Sequence, residues 1–411
     1  MNPTIVTGQQ IGLLGGPLFT PFKVLGALAW ARQLGGRAVY WLETNDADFA
    51  EINHIRFIDA GGRLTRVEWA KKTGGACTGS LPIDASLRPV LESYFDALPA
   101  TEYTPELRTL ALECYQEGRT LGDASEALAR ALFAGLPLDF FRPDTEAFRA
   151  FSKPFLLREA DFTPEGEQAN CFLRDTRGGP AVRRAIFKKA GRFTTREGEA
   201  VDLDRFDLLP NVQTRSVLQD AWFKTHTYIA GPGEVAYLKD MGPQYARHGV
   251  AASAVKPRMS AVIVDHRDRR LLERSGQSLG TALALSRSEL LKKTLSEAAH
   301  FDFDGAEKRL RKIKEEAIAS VASLGLETAP VERPLYEGIR EVLGRRRATE
   351  KKRHGEVLAA AMELSDRLRP GDEPQERVFT LFDFMNRHGG LGLVKVLAEK
   401  HSFETALLEF P

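Results

Sequence analysis

The sequence predicts an α/β fold on a Rossmann-like parallel sheet, and three observations predict it. A β-prone run, Thr4-Ile5-Val6-Thr7, leads into a glycine-punctuated stretch from Gly8 to Pro17 and then a helical stretch from Phe19 to Leu34. Strand, glycine loop and helix in that order open a nucleotide-binding unit, because loop and helix N-terminus offer free N–H groups together. After Gly35-Gly36 a second strand, Ala38 to Glu43, ends in the polar cluster Asn45 to His54. The second half repeats the logic: a strand at Thr225–Ala230, the loop Gly231-Pro232-Gly233-Glu234, and a helix from Val235. Polar residues that follow such strands collect at the carboxyl edge, where open α/β sheets bind ligands.

The remaining elements follow in chain order. Residues 56–69, with Gly61-Gly62 in the middle, read as a β-hairpin, and apolar spacing at three and four residues predicts helices over 104–135. A turn-rich β region spans 171–201, a helix 214–221, and β-prone runs 251–256 and 261–265. The expected division is a core over 1–265, with connective insertions at about 56–140 and 165–205. A helical hairpin or coiled coil over 266–370 and closing helices over 371–411 that pack on the core complete it. Leu310, Ile313, Ala317, Val321 and Leu324 form one helical stripe, and Leu335, Ile339 and Val342 begin another beyond a break at Pro330 and Pro334.

Composition narrows the function classes. The 411 residues carry 57 Lys+Arg against 56 Asp+Glu, a net +1, so the whole molecule does not coat a polyanion, which argues against nucleic acid as partner. With 43% hydrophobic residues the chain can bury a sizeable core. Its three cysteines, Cys77, Cys114 and Cys171, lack disulfide or zinc-clamp spacing, which points to a reducing compartment. No apolar run of about 18 residues suggests a membrane span, and the N-terminus lacks the pattern of a secretion signal, so the expected location is the cytoplasm.

Four segments carry candidate chemistry. Gly8, Gln9, Gln10, Gly16, Pro17, Thr20 and Lys23 could cradle phosphate, or could form only a tight strand-to-helix turn. Asp46, Asp48, Glu51, Asn53 and His54 could bind an amine, magnesium or ribose hydroxyls, or tune a general base; helix capping with solvated acids is the plain alternative. Gly231, Gly233, Glu234 and Tyr237 could hold a ribose and an adenine, although capping alone also explains Glu234. Lys256, Arg258 and Ser260 offer two cations and a hydroxyl to a leaving phosphate from what reads as a mobile loop. No metal site is read from the sequence.

Taken together these segments resemble the cysteine ligases of bacillithiol biosynthesis, the cysteine-adding enzymes. The likeness is carried by Thr7-Gly8-Gln9-Gln10, Gly16 to Thr20 with Lys23, the cluster Asp46 to His54, and Pro210-Asn211-Val212 with Arg215 and Gln219. Gly231 to Glu234 with Tyr237, Pro257-Arg258 with Ser260, and Gln375-Glu376-Arg377 with Asn386 complete it. The resemblance implies a core akin to class I aminoacyl-tRNA synthetases and a coiled coil that mediates homodimerisation. It also implies a reaction joining the carboxyl of cysteine to the amine of glucosaminyl-malate, with ATP or another nucleotide, and Mg2+ with it, as the expected activator. Phosphates would then lie near Gly16, Thr20 and Lys23, and adenosine at Gly231–Glu234, with Asn211 and Arg215 among the binding residues. Lys256 and Arg258 would neutralise the leaving phosphate, and Asp46, Asp48 or His54 would orient or deprotonate the amine. The paired histidines of the class I synthetase signature are absent. Two other readings stand beside this one: a nucleotide-dependent ligase for a different amine, and an RNA- or protein-binding module that uses the basic run Arg345–Arg353.

Overall fold

The computed structural model describes residues 2–410, which divide into two compact units, 2–262 with 376–408, and 263–375 with 409–410. In the first unit five parallel strands form the central sheet. In spatial order they are Leu138–Phe141, Arg37–Glu43, Thr4–Gln10, Thr225–Ala230 and Ala254–Pro257. By position in the chain that is third, second, first, fourth, fifth, the strand order of a doubly wound dinucleotide-type fold. The order reverses between Thr4–Gln10 and Thr225–Ala230, so the crevice for a ligand opens beyond the carboxyl ends of these two strands.

Ile5 and Val6 are fully buried because a parallel strand is covered on both faces. The helix Phe19–Leu34 covers one face, stopped by Gly35 in the left-handed conformation. Its burial is nearly all-round, from Thr20 through Ala27, so it reads as apolar rather than amphipathic. An aromatic cluster lies under the sheet: Trp41, wholly buried, meets Phe141 at 4.8 Å and Phe148 at 5.2 Å between ring centroids. Phe148 belongs to the helix Glu146–Asp161, which sequence periodicity did not reveal. Leu138–Phe141, expected to end an insertion, is instead the edge strand of the core sheet.

The hairpin pairs His54–Ile58 with Leu64–Glu68 in antiparallel register. The turn-rich β region is a second, antiparallel sheet in the order Asp207–Pro210, Gln168–Asp175, Val182–Lys189, Arg192–Thr195, Ala200–Val201. All three cysteines are buried and free, and burial pushes the thiols of Cys77 and Cys171 up to about 12.

Segment 376–408 is part of the first unit. Leu18 N–H donates to Phe379 O at 2.8 Å, and Tyr94 donates to Asp383 Oδ1 at 3.2 Å. Asp383 is buried beneath Tyr94 and Thr380, and burial raises its carboxyl from 3.8 to about 6. The folded chain therefore keeps a proton that the unfolded chain releases, so this contribution to stability is present at low pH and is lost as pH rises through about 6. Denaturant melts of wild type and Asp383→Asn should show it: wild-type stability, relative to the variant, falls between about pH 4 and pH 7. A constant difference contradicts the assignment.

In the second unit Arg367 pairs with Asp265 Oδ2 at 2.8 Å and with Asp268, tying helix Gly355–Leu368 to the start of helix His266–Ser275. The helices Phe303–Ser323 and Ala329–Arg353 form the expected hairpin. Pro330 sits in the first turn of the second arm, whereas Pro334 is carried within the helix instead of breaking it. The stripe is only partly covered: Ile313 is 59% exposed and Leu324 74%. Of the six cations in the basic run, three are paired in place, Arg345 with Glu341, Arg346 with Glu350 at 2.7 Å and Arg347 with Glu307 at 3.2 Å, while Lys351, Lys352 and Arg353 are exposed. An RNA-binding face built on Arg345, Arg346 and Arg347 loses its free charge.

Candidate active site

A cleft of about 610 Å³ opens where the strand order predicts it. Its floor is the end of the first strand. The chain stays extended through Gln10, so Gly8, Gln9 and Gln10 are strand rather than loop. A Cβ on Gly8 would stand 2.9 Å from Arg215 Nη1, so a larger residue there would push the guanidinium away from the strand end.

Lys23 is 3% exposed, and its ammonium is fully engaged. Nζ donates to Gly8 O and to Gln9 Oε1, each at 3.0 Å, and pairs with Glu234. Burial lowers the Lys23 pKa against the pull of Glu234. Glu234 also accepts from Tyr228 Oη at 2.6 Å and from Gly231 N–H at 2.7 Å, and Arg215 stands 3.7 Å away. Burial works against the Glu234 carboxylate, but Lys23 and Arg215 together hold its pKa below the usual range.

On the opposite wall, Asp46 accepts from Gln10 and pairs with Arg183 Nη1 at 2.9 Å. Arg183 comes from the second sheet and lies over the Phe172 ring at 3.8 Å. Glu43, at the end of the second strand, accepts from Trp41 Nε1 at 3.0 Å and from Asn45 N–H at 2.9 Å. Burial raises its pKa. Asn211 caps the helix Val212–Phe223 that carries Arg215 and shares the lining with Tyr237, whose hydroxyl is buried without a partner. Arg258 is 7% exposed, pairs with Glu376 Oε1 at 2.6 Å and faces the Phe19 ring. The same carboxylate accepts from Ser260 Oγ at 2.9 Å and Ala261 N–H at 3.0 Å.

Matches to known families follow this geometry. Residues 2–174 and 187–259 match the model described as "Bacillithiol biosynthesis BshC, N-terminal Rossmann-like domain", and residues 261–407 match its C-terminal coiled-coil domain. The chain belongs to the BshC family. It is 24% identical to the "Putative cysteine ligase BshC" of Chlorobaculum tepidum, over 98% of this chain and 82% of that one. Against the proteins of the same name from Salinibacter ruber and Solibacter usitatus it is 27% and 28% identical, covering 93% and 94% of this chain and 78% and 80% of theirs. Among solved structures, a "putative arginyl t-RNA synthetase" from Campylobacter jejuni aligns at 10% identity with a TM-score of 0.29, over 97% of this chain and 89% of that one. A likeness that slight carries nothing about the site.

Within this BshC chain the cleft gathers Gly8, Gln9, Gln10, Lys23, Asp46, Glu51, Asn211, Arg215, Gly231, Gly233, Glu234, Tyr237 and Arg258. It leaves others outside its lining. Gly16, with φ of 73°, turns the chain inward: Pro17 bridges Thr380, and the Thr20 hydroxyl is buried without a partner beside a small apolar cavity. The glycine turn therefore packs on the closing segment, and the expected phosphate cradle at Gly16 and Thr20 is not formed. Lys256 lies in the edge strand with its ammonium over Trp30, and Ser260 is held by Glu376, so the expected mobile loop is strand and buried turn. Asn53 is turned to Glu68 and Trp69, and Asp48 stays exposed.

His54 opens the hairpin against Asn53, 3.3 Å away, and burial together with Arg66 and Arg56 lowers its pKa. His54→Ala should accordingly leave turnover unchanged, and a large loss of kcat with unaltered melting would return it to the chemistry. Sequence reasoning missed Glu43, Arg183, Phe19 and Arg377 among the lining residues. Glu43 had a signal as a carboxylate ending a strand at the ligand edge, and Phe19 and Arg377 had one only as residues that carry the family likeness. For Gly8→Ala we expect turnover to fall on the order of 100-fold through displacement of the Arg215 guanidinium, with the melting temperature nearly kept. Steady-state kinetics beside a thermal melt check this.

Proposed function

We propose that this protein is a ligase of bacillithiol biosynthesis that joins the carboxyl of cysteine to the amine of glucosaminyl-malate after a nucleotide, ATP in the simplest case, activates that carboxyl. The single observation that carries the reading is the charged cleft at the switch point of the sheet, in a chain whose family relatives are named as cysteine ligases.

The nucleotide lies along Gly231-Pro232-Gly233, where nothing stands within 4 Å of a Cβ built on Gly233, so a ligand can approach the backbone. Magnesium, where used, arrives on its phosphates; among the described residues no cluster of three His, Cys, Asp or Glu is arranged to hold a metal. The amine is oriented by Asp46, with Glu43 as the carboxylate whose raised pKa suits a base. Lys23 positions Glu234 and the strand end, and the growing charge on the activated carboxyl falls to Arg215. The location is the cytoplasm, and two chains associate through the helical hairpin, whose exposed Ile313, Leu324 and Val342 support an apolar surface there. Among the described residues no helix is long and apolar enough to cross a membrane.

Incubation with cysteine, glucosaminyl-malate and ATP, followed by mass analysis of thiols and nucleotides, tests the reaction. Bacillithiol formed together with AMP or ADP supports it; a product that requires another amine favours a ligase for a different acceptor.

A further inference from the structure

We propose that Arg377 binds substrate by taking one of its carboxylates, an assignment that rests on the ligase reading above. Five cations line the cleft: Lys23, Arg183, Arg215, Arg258 and Arg377. Lys23 is matched by Glu234, Arg183 by Asp46 at 2.9 Å, and Arg258 by Glu376 at 2.6 Å. Arg215 shares Glu234 at 3.7 Å. Arg377 is exposed, and among the described residues no carboxylate pairs with it. On the acidic side, Glu234 and Asp46 at the lining and Glu376 behind Arg258 are the partners just named. Among the described residues, Glu43 accepts only from Trp41 Nε1 and the Asn45 N–H, and Glu51 is exposed at the lining with no cation bound to it. The cleft thus presents one guanidinium without a carboxylate, Arg377, and two carboxylates without a cation, Glu43 and Glu51. That is the complement of a substrate bearing both an amine and a carboxylate, as cysteine and glucosaminyl-malate both do.

The presentation of Arg377 is rigid at its backbone. Its neighbour Glu376 is fixed by Arg258, Ser260 and the Ala261 N–H, and Val378 on its other side is 6% exposed. A backbone fixed by such neighbours needs no ordering when a ligand arrives, so only the rotamers of the side chain itself are lost. Carboxylate is favoured over phosphate by charge count. A polyphosphate needs several free cations, and Lys23 and Arg258 are already committed to carboxylates of the protein. One planar guanidinium matches one carboxylate through two parallel N–H bonds.

The test is calorimetric binding of four probes, glucosaminyl-malate, glucosamine, cysteine and ATP, to wild type, Arg377→Gln and Arg377→Lys, with melts to check folding. Loss of a charged hydrogen-bond pair should weaken glucosaminyl-malate on the order of 10-fold to 100-fold in Arg377→Gln. Arg377→Lys should recover part of that, and glucosamine and ATP should be unaffected. A loss seen with cysteine in place of glucosaminyl-malate still supports a carboxylate, and assigns it to the amino acid. Unchanged affinity for both, or a loss confined to ATP, overturns the proposal while the ligase reading stands. Wild type that binds none of the four removes the ligase reading, and this assignment with it.

Discussion

Lys23→Ala is expected to lower the unfolding free energy by about 3 kcal/mol, the scale set by breaking one side of a buried ion pair. The loss is large because the ammonium serves three acceptors at once. Without it Gly8 O and Gln9 Oε1 lose a donor, and Glu234 keeps only the Tyr228 hydroxyl, the Gly231 N–H and a distant Arg215. Lys23→Met combined with Glu234→Gln should cost less than the two single changes together, because no orphaned charge remains. Denaturant melts of the four proteins close that cycle. Additive effects would mean that Lys23 is not bound to Glu234 in solution, and would restore its reading as a phosphate ligand, which predicts an intact fold and lost turnover.

Glu376→Ala should be comparably damaging, at about 3 kcal/mol, for a different reason. One carboxylate there satisfies the Arg258 guanidinium, the Ser260 hydroxyl and the Ala261 N–H, so its removal strands a 7%-exposed cation and two neutral donors. Glu376→Gln keeps the shape and one acceptor and should lose less. It should still impair substrate binding if it loosens Arg377 beside it. Equal melting of wild type and Glu376→Ala would show that the closing segment does not hold the end of the strand Ala254–Pro257.

These two pairs show where sequence reading stops. The first strand as far as Thr7, the helix Phe19–Leu34, the strand from Ala38 to Glu43 and Thr225–Ala230 were legible because each is a local pattern, a β-prone run or an apolar helix bounded by glycine. The continuation of the first strand through Gln10 was not, because Gly8 reads as the start of a loop. Their adjacency in one parallel sheet followed from connection rules, and with it the edge at which to look for a site. The edge strand Leu138–Phe141 was not legible, since four residues after a helical region give no period to read. Nor were the partners. Lys23 meets Glu234, Arg183 meets Asp46, and Arg258 meets Glu376 across separations of more than a hundred residues, which no local spacing encodes. His54 failed for a third reason. Nearness to a strand end says nothing about direction, and the chain leaves the cleft before His54 to begin a hairpin. Gly16 and Thr20 failed because the glycine turn has an alternative partner, the closing segment at Phe379 and Thr380, which only the fold brings near.

The claim on which the account depends is that amide formation occurs in the cleft floored by Gly8. The direct measurement is the yield of bacillithiol by mass analysis from cysteine, glucosaminyl-malate and ATP, with wild type and Gly8→Ala at matched folded concentration. The account predicts product from wild type and a yield on the order of 100-fold lower from the variant. No product from wild type, or the same yield from both proteins, would contradict it.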